Sequence, residues 1–308
     1  MFQRLNLSGP ALALVLLSLL GWEGGAGMPR AEAHDPPLWE PRSLGSGEMP
    51  LPACVAQADL IVIGRIDAVD DKTVEVLPSP GSKDKVAYRT CVLKAEEVLR
   101  GDKAAKEFRI GFATKVVSGV GSGEWLSYQK DHEGVFFLKR HHTDDFFVNF
   151  SLSNGVSRGE PKGGGFETPG KYEELVRAVR KMVKMLEDPV TTLQGKNDAD
   201  RYIGLTMLIE QYRSQSVKDP RWQEKPVDPK VNKLLLKVLA EADWCWKQGQ
   251  MGYYPPHPSQ LFQQLGVTKK DDYDPPTDDG RKTDAATKRW LVDHQETYSA
   301  KQFTLKPR

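Results

Sequence analysis

The densest collection of groups able to do chemistry is His141-His142-Thr143-Asp144-Asp145, with His132-Glu133 a short way upstream. Imidazoles and carboxylates are common zinc ligands and common general acids and bases. Their spacing here serves neither purpose. Neighbouring residues on a strand or tight turn point in different directions, so His141 and His142 do not readily share one ion. Neither C-x-x-C nor H-E-x-x-H occurs. The stretch reads as a solvated hairpin tip. A metal-dependent hydrolase drawing on scattered residues such as His132, His142 and Asp144 is the alternative from a different functional class.

Other candidates weaken in the same way. Cys245 and the distant His294 would make a thiol and its base, yet no motif orients them, and Trp244 and Trp246 on either side make Cys245 read as a small core residue. Gly119-Val120-Gly121-Ser122-Gly123 has the backbone freedom to wrap a phosphate but lacks the lysine and the helix that a phosphate loop needs. The letters G-x-S-x-G occur at Gly155-Val156-Ser157-Arg158-Gly159, but within a glycine-rich stretch and not on a tight strand-to-helix turn, so no Ser sits in a nucleophile elbow. Arg100-Gly101-Asp102 spells an integrin-binding tripeptide, but Gly followed by Asp is also ordinary chemistry for ending a strand. Asn149-Phe150-Ser151 is a glycan acceptor only in a eukaryotic secretory host. The sequence thus supports no catalytic residue, no metal ligand and no cofactor. The most suggestive surface is aromatic: Trp244, Trp246, Tyr253 and Tyr254 ahead of Pro255-Pro256 form a candidate binding ledge, because rings bury large area at small entropic cost. The competing reading has them close a helical core.

Composition narrows the classes. Lys and Arg total 43 against 42 Asp and Glu, a formal charge of +1, which gives no case for a nucleic-acid partner. Hydrophobic residues make up 39% of the 308, with 27 Gly besides, enough for packed cores. Residues 1–27 stand apart: Arg4 precedes an apolar run from Ala11 to Leu20, interrupted at Ser18. That run covers about half of the ~20 residues a membrane helix needs, so it reads as a secretory signal peptide rather than an anchor. Gly24-Gly25-Ala26 and Ala31-Glu32-Ala33 compete as the cleavage site, placing the new N-terminus near residue 27 or 34. No later segment is apolar enough to span a membrane. Export places Cys54, Cys91 and Cys245 in an oxidising compartment. A Cys54–Cys91 disulfide would close a loop of about 38 residues and contribute about 4 kcal/mol. Cys245 is expected to be a buried free thiol; three unpaired cysteines are the alternative.

The elements that must position these residues fall into two groups. Residues 28–53 are rich in proline and glycine and read as an extended leader. From 54 to 151 the pattern is β: Leu60 to Val69, a turn at Asp70-Asp71, Thr73 to Leu77, a long strand from Val86 to Val98, then 108–112, 134–138 and 146–150. Short strands at this spacing indicate a small barrel or sandwich. Residues 152–170 carry six glycines and form a linker, the expected site of first proteolytic cleavage. A helical domain follows over 171–303. Tyr172, Leu175, Val176, Val179, Met182, Val183 and Leu186 make an apolar stripe with Lys and Arg opposite, and Asp188-Pro189 stops that helix. Further helices are expected from Asn197 or Asp198 to Tyr212, through Val231–Ala242 and over about 283–295.

The residues Ala58-Asp59-Leu60-Ile61-Val62-Ile63-Gly64-Arg65-Ile66, Val98-Leu99-Arg100-Gly101-Asp102 and Gly134-Val135-Phe136-Phe137-Leu138 resemble the netrin/TIMP-like (NTR) branch of the OB-fold. The resemblance covers about a third of the chain and implies an α+β protein, a small OB-like β-barrel followed by an α-helical domain. Asp198-Ala199-Asp200-Arg201 opens a helix pair similar to a HEAT-type hairpin. The whole chain also resembles a class of exported proteins of environmental bacteria that join such a barrel to a short helical domain. TIMP-type members inhibit metalloproteases through a mature N-terminal cysteine. Here at least twenty residues precede Cys54 after either cleavage, so its amine is locked in a peptide bond and that mechanism is disfavoured. The expectation is an exported, non-enzymatic binding protein with an extracytoplasmic protein or a glycan as partner.

Overall fold

The computed structural model describes residues 49–114, 128–149, 156–157, 169–213, 222–245, 255–276 and 279–306. The stretches expected to be a signal peptide, most of a leader, the Gly119–Gly123 loop and most of a glycine-rich linker lie outside these residues. What is described is a mixed α+β protein, with a six-stranded sheet, a two-stranded sheet and seven α-helices. No helix among the described residues is long and apolar enough to cross a membrane.

Where the sequence predicts extended chain to residue 53, the structure is helical from Leu51. Leu51–Gln57 form a short helix, α1, with proline in its first turn and Pro52 to Ala56 buried. Proline there costs nothing, because the first N–H groups of a helix have no internal partner. The other end is closed by Arg100, whose Nη1 donates to Val55 O at 2.7 Å and to Ala56 O at 3.3 Å. A cation on the last carbonyls of a helix satisfies them and complements the dipole. Replacing Arg100 by Met keeps the stem but strips both hydrogen bonds, and should cost about 2 kcal/mol of stability by urea unfolding. An unchanged midpoint would show that solvent satisfies α1 equally well.

The strands are β1 (Leu60–Val76), β2 (Val86–Arg100), β3 (Glu107–Ala113), β4 (Glu133–Arg140), β5 (Phe147–Asn149) and β6 (Val156–Ser157). β1 is one strand where the sequence predicts two. Asp70-Asp71 does not turn the chain: Val69 faces Cys91 while Thr73 faces Arg89, so the extra residues are accommodated as a bulge. Arg89 Nε donates to Asp70 O at 3.0 Å, and Thr90 Oγ1 donates to the Asp70 carboxylate, fixing the bulge from the opposite strand. β1 pairs with β2, β2 with β3, β3 in parallel with β5, β5 with β4, and β4 with β1. β6, inside the expected linker, adds to β4.

The start of β1 is buried on both faces, which explains the unbroken apolar run of its sequence. Leu60, Val62 and Ile66 pack with Cys91, Leu93, Ile110, Phe136 and Leu138. Ile61 and Ile63 join Val135 and Phe137 in a separate cluster with α1, Tyr172 to Val183 of α2 (Pro169–Glu187), and Ile203 and Met207 of α4 (Asp198–Arg213). The apolar stripe predicted for α2 is therefore what covers the sheet. At Gly64 the register shifts, and the Lys94 carbonyl oxygen of β2 occupies the space where a Cβ would stand.

Asp188 ends α2 and caps α3 (Pro189–Leu193), accepting from Thr191 N at 3.1 Å. α5 (Pro229–Glu241), α6 (Pro258–Leu265) and α7 (Gly280–Asp293) surround α4 with a third cluster that includes Leu205, Leu208, Leu235, Leu239, Phe262 and Trp290. Seven consecutive buried residues, Ile203 to Ile209, reflect the position of α4 between this cluster and the one it shares with α2. Strands β7 (Trp222–Pro226) and β8 (Lys301–Leu305) pair antiparallel, an element the sequence did not announce.

Candidate functional site

His141 is not at a solvated tip. It is 3% exposed, stacked on Phe146 at 4.7 Å between ring centroids. Nε2 lies 3.1 Å from Leu77 O, and a carbonyl only accepts, so Nε2 carries the proton. Nδ1 then accepts from Asp144 N at 3.2 Å. Both ring nitrogens are thus engaged in holding the β4–β5 connection, and burial follows from a partner 64 positions earlier in the chain. His142 rests against it, with ring centroids 4.5 Å apart. His132 precedes β4, whereas His142 and Asp144 follow it, so roughly 25 Å of strand separates them. Burial also pushes the pKa of His132 down, and its ring packs against Tyr128 and Phe136. No cluster of three His, Cys, Asp or Glu side chains suited to a metal ion is assembled among the described residues.

The Arg-Gly-Asp tripeptide has a structural occupation. Arg100 is turned inward onto α1, and Gly101 holds φ at +109° with the Leu60 side chain against the space where a Cβ would stand. Glycine is required at that position for the turn itself.

Contrary to expectation, no disulfide joins Cys54 to Cys91. Cys54 belongs to the cluster shared by α1 and α2, Cys91 to the cluster on the opposite face of β1, so a layer of strand lies between them. Burial pushes the Cys91 thiol up to about 12, an inert group. Cys245 is the exposed one, again the reverse of the expectation. It follows α5 in a turn where Asp243 Oδ1 accepts its N–H at 2.9 Å, while the preceding ring takes the inward position. That ring is Trp244, 6% exposed, its Nε1 donating to Leu239 O at 3.0 Å. Trp244 is therefore core rather than ledge. Trp246, Tyr253 and Tyr254 lie outside the described residues. His294, the base once paired with Cys245, lies flat on Trp290 at 4.5 Å and donates from Nδ1 to its carbonyl.

The structure opens instead a cavity of about 650 Å³ between the first turn of α4 and the last turn of α5. Ala199, Tyr202, Ile203, Val238, Ala242 and Pro255 supply its apolar walls, and Asp198, Arg201, Glu241 and Asp243 its charges. Arg201 organises the rim: Nε donates to Leu193 O at 3.1 Å, Nη1 to Asp198 at 3.0 Å and Nη2 to Glu241 at 2.6 Å. The Glu241 hydrogen bond raises the Arg201 pKa further. Tyr202 donates its hydroxyl to Pro256 O at 2.7 Å, leaving the ring as wall, and burial raises its pKa. Sequence reading noticed Asp198-Ala199-Asp200-Arg201 only as a helix start. Its partner Glu241 is forty residues on, and no local pattern links the two.

A second groove, about 480 Å³, runs along α2 and α3 beneath Arg177, Arg180, Lys181 and Lys184. Two of these cations are already paired, Arg180 with Glu97 and Lys181 with Asp200. Sequence reading also passed over Glu210 on α4. Its Oε2 is buried without a hydrogen-bond partner, and burial raises its pKa to about 7. Compared with known proteins, the chain has no match among family models, curated proteins or solved structures.

Proposed function

We propose that this chain is an exported binding protein, a netrin/TIMP-like OB barrel joined to a helical domain, whose ligand occupies the cavity between α4 and α5. The observation that carries the reading is the cavity itself, because 650 Å³ falls within the ordinary range of ligand sites and its walls are apolar with a few convergent polar groups. The barrel reading is supported by a strand order that returns to β1 through β4, with β3 and β5 parallel. Export is supported by the character of residues 1–27.

The test is a panel of immobilised peptides and oligosaccharides probed with the purified protein and with Ala199→Trp. Ala199 is half-buried on the cavity wall, so tryptophan there fills the site. Expected is a captured ligand that Ala199→Trp loses while its melting temperature stays within a few degrees of the parent. Equal capture by both proteins would remove the cavity from the function.

A further inference from the structure

Resting on the cavity reading above, we propose that the occupant is a basic segment of another protein, seated by a lysine or arginine side chain, and not a glycan. Two features of the same cavity converge on that chemistry. The first is charge. Three carboxylates, Asp198, Glu241 and Asp243, line it against the single guanidinium of Arg201. That guanidinium is committed to Asp198, Glu241 and the Leu193 carbonyl, so an anionic ligand would meet surplus negative charge and a cation already spent. Asp243 is exposed and accepts the Cys245 N–H at Oδ1, which sets a carboxylate at the solvent edge of the rim in a defined turn.

The second feature is the walls. Ala199, Ile203, Val238, Ala242 and Pro255 offer no side-chain hydrogen bonds, and the Tyr202 hydroxyl is used on Pro256. A sugar presents hydroxyls around its whole ring and would bury several of them unpaired here, at a cost for each. A lysine or arginine has the opposite distribution, an aliphatic stem ending in a cation. The stem suits the walls and the head suits the carboxylates. The cavity exceeds the volume of one such side chain several times over, so a run of a few residues fits, with charge complementarity governing the choice of partner.

The experiment measures fluorescence anisotropy of labelled tetralysine with the purified protein. The controls are the same peptide with every lysine acetylated, which keeps the stem and removes the charge, and chitotetraose as a competitor. Expected is tetralysine binding that is lost in Ala199→Trp, at least tenfold weaker in Asp243→Asn, retained in Asp243→Glu, and at least tenfold weaker for the acetylated peptide. If the acetylated peptide binds as well as tetralysine, or chitotetraose displaces it at low concentration, and Ala199→Trp abolishes either interaction, the cavity is a ligand site and the cationic assignment is wrong. Tetralysine binding that survives Ala199→Trp overturns the assignment by placing the contact elsewhere. Absence of any probe binding overturns it together with the cavity reading.

Discussion

Gly64→Ala should destabilise the protein by about 3 kcal/mol or more, enough to leave a marginal domain largely unfolded at 37 °C. Gly64 sits where β1 is held by β2 on one side and β4 on the other, opposite Ala95 and Gly134. A methyl group there would fall onto the Lys94 carbonyl, well inside van der Waals contact, and the obstacle is backbone rather than a side chain that could rotate away. Relief requires moving one of the two strands, and both carry the fully buried residues of the sheet's core. The register shift beside Gly64 shows the same crowding from another direction: the strand bends at this point, and glycine allows the close approach that the bend creates. Chemical denaturation of the purified variant measures the effect. A loss below 1 kcal/mol would mean that the strands separate easily at that point.

Glu210→Gln should do the reverse, increasingly as pH rises above about 4.5. Burial raises this carboxyl from its ordinary 4.5 to about 7, and its Oε2 finds no hydrogen bond. The folded state therefore keeps a proton that the unfolded chain has already released between those pH values. Stability drawn from the protonated form is complete below about pH 4.5 and is lost as pH rises toward 7. Gln keeps the shape and removes the titration. The variant should match the parent at pH 4 and exceed it at pH 8 by about 3 kcal/mol, the shift converted to free energy. Urea unfolding at the two pH values makes the comparison, and a difference independent of pH would show that Glu210 is solvated in the folded state.

Local pattern was legible wherever a single element decides the outcome. The seven apolar positions from Tyr172 to Leu186 define one face at helical period, and that face is what α2 buries. Asp188-Pro189 contains both the stop of one helix and the cap of the next, so the break there follows from two residues. The run from Leu60 to Ile66 announces a strand, although only the structure shows that its two faces serve different clusters. Features that depend on distant partners were hidden. α1 is built from small residues and prolines with no periodic signal, and its burial comes from α2, α4 and β4. β7 and β8 are separated by more than seventy positions and are short and polar. The burial of Trp244 and the exposure of Cys245 are decided by how one turn leaves α5, which neither residue type reveals. The candidate site is the extreme case, since Arg201 and Glu241 look like two ordinary helix-surface charges until α4 and α5 are placed side by side.

The position of α1 governs when this protein finishes folding. Its C-terminal carbonyls wait for Arg100 and its packing waits for α4, which is made well over a hundred residues later. Closing so long a loop is slow compared with forming the hairpin of β1 and β2. The N-terminal segment should therefore remain undocked through most of synthesis, its apolar side open to solvent or to a chaperone. A chain whose helix α1 is covered only once α2 and α4 have been made has a maturation step written into its topology, with α1 as the piece that closes it.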